Sequence, residues 1–336
     1  MAMDAEQIVD RRRLRRKLSF WRVAAFLLLA IAVAAAVVAL AGPDAFGQRS
    51  RPHIARITIS GFISDDRDLV EMIDSVAKSD AVRGAVVAID STGGSTAGGE
   101  ALYDALRRLS EAKPTVASMR SVGASAAYMA AIATDHIVAR RSTITGSIGV
   151  IFQYPEVSQA LDHLGIKVES IKSAPLKAEP SPFEPTTPEA RAVIEALIRD
   201  TFDWFVDIVA ERRGLDRATT LRLADGRVYS GRQALDAKLV DAIGGEDTAI
   251  AWLADEKDVD PALPVVDWKP VDRTGGPFSL SKAAVVWLAE QAGLPPALLR
   301  VLGAERLIPS SPLVLDGLLS VWHAPAGLSD AEGAPR

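Results

Sequence analysis

The sequence predicts an α/β fold, a parallel-sheet core with flanking helices, preceded by one N-terminal transmembrane helix. Three observations carry that expectation. Segments with strand and helix periodicity alternate from residue 53 to about residue 256, and such alternation builds a parallel sheet with helices on its faces. Gly84–Ile89 (GAVVAI) is an unbroken apolar run, the pattern of a strand buried on both sides. Val23–Gly42 carries no charge and follows a basic block of Arg11, Arg12, Arg13, Arg15, Arg16, Lys17 and Arg22.

About 20 apolar residues suffice to cross a hydrocarbon core. The positive-inside tendency puts the basic block in the cytoplasm and everything after Pro43 on the outer side. Phe20 and Trp21 stand where interfacial aromatics belong. The competing reading is a cleaved signal peptide. Its apolar core is usually only about 7–15 residues long, and Ala39-Leu40-Ala41 is a mediocre cleavage site. The expected organisation is a cytoplasmic segment (1–22), an anchor (23–42), a Pro/Gly-containing linker (43–52), a folded domain (53–256) and an extension (257–336). That places a single-pass protein in the cytoplasmic (inner) membrane, with its folded domain on the periplasmic or extracellular side.

The elements follow in order. Ile54, Arg56, Ile57 and Ile59 mark a strand over 53–60. Leu69, Met72, Ile73 and Val76 share one face of a helix over 66–78, capped by Asp65 or Asp66. After strand 84–89 come a Gly-rich turn at 91–99 and a helix with Leu102, Ala105, Leu106 and Leu109 in register. Further strands are expected at 115–119, 136–139, 147–152 and 167–171, and helices at 125–133 and 156–164. Pro188 opens a long helix to about Arg212. Beyond Glu256 the pattern weakens. The apolar stretches there are too short and interrupted to span a bilayer.

Composition removes several function classes. Of 336 residues, 49% are hydrophobic and 24% charged, as in an ordinary folded protein. A formal net charge of -5 gives no reason to expect nucleic acid. The absence of cysteine excludes disulfides, thiolate metal sites and a thiol nucleophile. No internal repeat is visible, so one catalytic unit is expected.

Three segments carry chemistry. In Asp90-Ser91-Thr92-Gly93-Gly94, two glycines at a strand end can present N–H groups unobstructed by a Cβ; such turns are also often merely turns. In Ser121-Val122-Gly123-Ala124-Ser125-Ala126-Ala127-Tyr128, Ser125 opens a helix directly after a strand. There it is either a helix N-cap or an exposed hydroxyl beside the Ala126 N–H and the positive end of the helix dipole. Lys177 lies in the Pro-braced run Lys172–Phe183, as a solvated charge or as a base.

The order Gly-Gly turn, Gly-Ala-Ser helix start, Lys-Pro loop resembles the signal peptide peptidase A family of Ser-Lys serine peptidases (family S49). Asp225–Gly245 (DGRVYSGRQALDAKLVDAIGG) looks like the segment that this family and the Clp-type peptidases carry after the catalytic core. The resemblance covers about 53–256 and implies a Clp/crotonase-like fold. It matches Ser125 to the nucleophile, Lys177 to the general base, and Gly93 or Gly94 with the Ala126 N–H to the oxyanion hole. It also implies remnant signal peptides as substrates, homo-oligomers with Ser and Lys from neighbouring subunits, and no cofactor or metal. Three departures stand out. Thr92 replaces a usual Pro, Ala126-Ala127 a usual Gly-Gly, and Ser173-Ala174-Pro175-Leu176 a Gly-containing Ser-Gly-x-Tyr.

A lysine base must be neutral, against an ordinary pKa of about 10.4; burial near Leu176, Pro175 and Phe183 would lower it. Lys167 and Lys172 are rivals, but Lys172 would continue strand 167–171, which favours Lys177. His53, His136, His163 and His323 form no Ser-His-Asp or HExxH pattern. Two other classes remain open, a non-catalytic membrane scaffold of the same fold and a crotonase-type acyl-CoA enzyme. Loss of Ser125 or Lys177 would have favoured the first, and a cytoplasmic location the second.

Overall fold

A computed structural model describes residues 20–30, 47–270 and 319–321. Residues 20–30 form helix α1, part of a unit separate from the one that begins at Pro52. Most of the expected span 23–42 lies outside the described residues. Among those described, no helix is long and apolar enough to cross a membrane.

The second unit is a mixed α/β structure. Its central parallel strands are β1 (His53–Ile63), β2 (Val82–Ser95) and β3 (Thr115–Ala124). β8 (Val265–Trp268) pairs with the outer edge of β1, so the sheet extends past residue 256. On the far side of β3 sit first β4 (His136–Ala139) and then β5 (Ile144–Gly146). β7 (Ala242–Ile243) joins β4, and β6 (Val228–Ser230) runs antiparallel to β5. The pleat divides each strand between two cores. Ala55, Ile57, Ala85, Val87, Ala117, Met119, Ile137 and Ala139 face one. Ile54, Val86, Val116 and Val138 face the other, under α9 (Glu246–Lys257).

The first core is covered by α2 (Arg67–Lys78), α3 (Thr96–Ala112), α4 (Ala126–Ile132) and α6 (Pro188–Arg213). Asp66 caps α2, accepting the Asp68 and Leu69 N–H groups at 3.0 and 3.1 Å. Thr187 caps α6 ahead of Pro188, and Gly214 closes it in the left-handed conformation, the usual division of labour between helix ends. The 225–245 stretch supplies β6, α8 (Gly231–Asp236) and β7. Ser230 and Gln233 form a capping box on α8.

Several expected boundaries change. β1 continues to Ile63 because the β1–β2 pairing resumes after an irregularity at Ser60 and Phe62. The glycines expected in a turn at 91–99 are divided. Gly93 and Gly94 remain in β2, while Gly98 and Gly99 lie in the first turn of α3, capped by Ser95 through the Gly98 N–H at 3.1 Å. Residues 147–152 and 167–171 are not strands; the first carries only an isolated bridge at Ile151, and Ile151, Val168 and Ile171 are exposed, without the burial that a core strand needs. The expected helix 156–164 shortens to α5 (Ser158–His163). α7 (Arg217–Leu223), capped by Asp216, completes the helices.

Tyr128 ties the layers together. It is fully buried in α4, and its hydroxyl donates to the Leu239 carbonyl at 2.8 Å. Tyr128→Phe leaves that buried carbonyl unpaired, a cost of about 1–3 kcal/mol. Thermal unfolding of the variant is expected to drop by about 3–10 °C; an unchanged midpoint would show that the bond carries no stability.

Candidate active site

Ser125 sits between the end of β3 and the start of α4, at φ 61° and ψ −122°. A side chain bearing a Cβ is rarely found at positive φ, and outliers of this kind cost about 1–3 kcal/mol. A strained strand-to-helix turn is the device that presents a nucleophilic serine in other hydrolase folds. Ser125 is 1% exposed. Its hydroxyl makes no capping bond to α4, which removes the N-cap reading of this residue.

The turn is held from several sides. The Ser125 N–H donates to the Gly146 carbonyl at 2.8 Å. Thr145 Oγ1 donates to the Gly123 carbonyl at 2.7 Å. Where the β2–β3 register slips between Ile89 and Ser91, the Asp90 carboxylate accepts the Val122 N–H at 3.2 Å. Gly99 lets α3 approach α4: a Cβ there would lie 3.0 Å from the Ala126 Cβ and 2.8 Å from the Met129 Sδ. The absent methyl on Gly99 makes room for the one that Ala126 adds. Asp90, Gly99, Thr145 and Gly146 were not singled out in the sequence. Only the bulge and the helix contact, both tertiary, give them their roles.

The Ala126 N–H opens α4, where no intrahelical acceptor exists, and it has no hydrogen-bond partner among the described residues. Across from it, the pairing of Ser91 with Gly123 brings the end of β2, Thr92–Gly94, level with Ala124–Ala126. Gly93 has φ 110°, and its N–H donates to Ser91 Oγ at 3.1 Å, while that hydroxyl donates to the Gly61 carbonyl at 2.6 Å. Gly94 is obligatory for packing, because a Cβ there would stand 1.8 Å from the Ile63 carbonyl oxygen. The sequence-predicted Gly93, Gly94, Ser125 and Ala126 therefore come together at the C-terminal ends of β2 and β3.

Lys177 does not join them within one chain. It is exposed, in a loop without strands, and its ammonium makes no hydrogen bond or ion pair among the described residues. The argument from strand 167–171 against Lys172 fails, since that strand does not form. A different one replaces it. Lys172 Nζ is held by Glu179 at 2.5 Å and by Glu184 at 3.5 Å. The hydrogen bond to Glu179 raises the Lys172 pKa, which favours its charged form. Lys167 is also exposed.

The histidines lie elsewhere. His53 accepts the Trp268 indole N–H at 3.0 Å. His136 stacks on Trp252, and burial lowers its pKa. His163 Nδ1 lies 2.6 Å from the Gln159 carbonyl. His323 is outside the described residues. No metal-holding cluster of His, Cys, Asp or Glu occurs among the described residues.

The model of peptidase family S49 matches residues 107–260, a span that includes Ser125, Lys177 and the 225–245 stretch. A Synechocystis protein assigned as a protease, slr0021, is 35% identical over 246 residues, covering 71% of this chain and 89% of that protein. A protein of Enterococcus faecium assigned as signal peptide peptidase SppA is 29% identical, covering 67% of this chain and 69% of that one. The chloroplastic serine protease SPPA of Arabidopsis thaliana is 34% identical over 187 residues, covering 54% of this chain but only 27% of its own length. With the buried serine on its strained turn, these matches identify the chain as a member of peptidase family S49, a serine endopeptidase.

Proposed function

We propose that the protein is a membrane-anchored Ser-Lys endopeptidase that cleaves remnant signal peptides or other apolar peptides on the outer side of the cytoplasmic membrane. The observation that carries the catalytic reading is Ser125, buried and strained at the head of α4 without a capping bond. Lys177 takes the proton from Ser125 Oγ, which attacks the scissile carbonyl carbon. The developing oxyanion is received by the Ala126 N–H and an N–H of the Gly93–Gly94 turn. Lys177 then protonates the leaving amine, the C–N bond breaks, and water hydrolyses the acyl-enzyme. The apolar run behind the basic block supports the anchor, and the printed name of the Enterococcus relative supports the substrate class.

The lysine comes from a neighbouring subunit. A buried Ser125 and an exposed Lys177 argue for this. So does the company Lys177 keeps: Leu164, Ile166, Val168, Ile171, Leu176 and Phe183 are exposed along the same segment. Contiguous apolar surface of this kind marks an interaction site. Covering it with a second copy would desolvate the ammonium and lower its pKa toward the neutral form that a base requires.

Two sets of variants test this reading. Ser125→Ala and Lys177→Ala should each lose about a thousand-fold or more in kcat against an apolar fluorogenic peptide. Lys172→Ala should stay within about tenfold of wild type; the reverse ranking of the two lysines would reassign the base. Co-expressing Ser125→Ala with Lys177→Ala chains should restore about a quarter of the sites in mixed oligomers, those pairing an intact Ser with a neighbour's intact Lys. Mixed oligomers as inactive as either parent would place both groups in one subunit.

A further inference from the structure

The face of the sheet opposite α4 changes character part-way along its strands. Ile54, Val86, Val116 and Val138 lie in the core beneath α9. Two residues further on, the same face carries Arg56 on β1, Ala88 on β2, Ser118 on β3 and Arg140 just after β4, with Arg120 beyond Ser118. The small side chains of Ala88 and Ser118 leave a hollow between the arginines, a cavity of about 390 Å³.

Charge is divided across this cavity. On the β1 side Arg56 is taken, donating to Glu246 at 3.0 Å and to Asp267 at 2.9 Å. On the β3 side, two strand spacings or about 10 Å away, the Arg120 and Arg140 guanidiniums make no hydrogen bond or ion pair among the described residues. Their backbones are fixed side by side. Thr143 Oγ1 accepts the Arg140 N–H at 2.9 Å and donates to the Arg120 carbonyl at 2.6 Å. Ser118 lies at the floor and is 3% exposed. Its hydroxyl has no partner among the described residues, yet no polar side-chain atom sealed from solvent among them lacks one. The Ser118 hydroxyl is therefore open to the cavity.

We infer that this cavity is a phosphate site, holding a phosphate ester between the Arg120 and Arg140 guanidiniums with the Ser118 hydroxyl beneath it. The site lies across the sheet from α4 and stands independently of the reading of Ser125. Planar guanidinium forks match phosphate oxygens in pairs, and the hydroxyl donates to a further oxygen. The two unpaired positive charges suit the charge of about −1.5 to −2 on a phosphomonoester at neutral pH. Glu246 and Asp267 are held at the far end by Arg56, which shields the anion from them. A soluble ester and a lipid headgroup share this chemistry.

The test titrates full-length protein in detergent with glycerol 3-phosphate at constant ionic strength, followed by calorimetry and thermal unfolding. Saturable binding of a single equivalent is expected, with the unfolding midpoint raised by about 5–10 °C at a hundred times Kd. Arg120 and Arg140 are exposed, so their variants keep the fold. Arg120→Gln and Arg140→Gln should each weaken binding by about tenfold or more, and Ser118→Ala by about threefold or more. Arg141→Gln, at an exposed arginine outside the cavity, should leave it unchanged. Tighter binding of dihexanoyl phosphatidic acid than of glycerol 3-phosphate assigns the site to a lipid headgroup; binding no tighter assigns it to a soluble ester. No saturable binding of either, an equal loss in Arg141→Gln, or acetate bound as tightly as the phosphate ester overturns the inference.

Discussion

The architecture turns on one backbone constraint, the left-handed conformation of Ser125 between β3 and α4. A residue with a Cβ holds such a conformation only when its surroundings over-determine it. Here they do. The carbonyl of Gly146 grips the Ser125 N–H, Asp90 replaces a missing ladder bond at Val122, and Gly99 lets α3 press against Ala126. Tyr128, in the same first turn of α4, ties the helix to the Leu239 carbonyl. The 225–245 stretch thereby acquires a physical role. It clamps the helix whose first N–H lies next to Ser125. Gly231 within it is equally constrained, since a Cβ would fall 2.0 Å from the Arg140 carbonyl oxygen.

Much of this was legible in the chain, for reasons that differ by element. The apolar run 84–89 and the spacing of Leu69, Met72, Ile73 and Val76 announce a buried strand and an amphipathic helix because local pattern and tertiary burial agree there. Ser125, Ala126 and the Gly93–Gly94 turn were found through their order along the chain. What sequence could not separate was a capping serine from a nucleophile, because both occupy the same position at a helix start. The absent capping bond sets the capping role aside, and the positive φ marks the position as strained. Segment 147–183 misled for a different reason. Its apolar residues imitate strands, but apart from the buried Ile148 many of them, Ile151, Ile166, Val168 and Ile171 included, have exposed side chains, and periodicity alone does not reveal whether a burying partner exists.

The site's two halves thus obey opposite rules. Ser125 is buried and held by residues brought close to it by the sheet. Lys177 lies on an exposed segment with several exposed apolar neighbours. Within one chain, Lys177 does not reach Ser125, so the proposed dyad would need a second copy to complete it.

The most direct measurement of the central claim is the site of covalent capture. The protein is incubated with a serine-reactive peptidyl phosphonate, digested, and its adduct mapped by mass spectrometry. The account predicts a single adduct on Ser125, lost in Ser125→Ala and strongly slowed in Lys177→Ala. An adduct on another serine, or equal labelling of the Ser125→Ala protein, would contradict it.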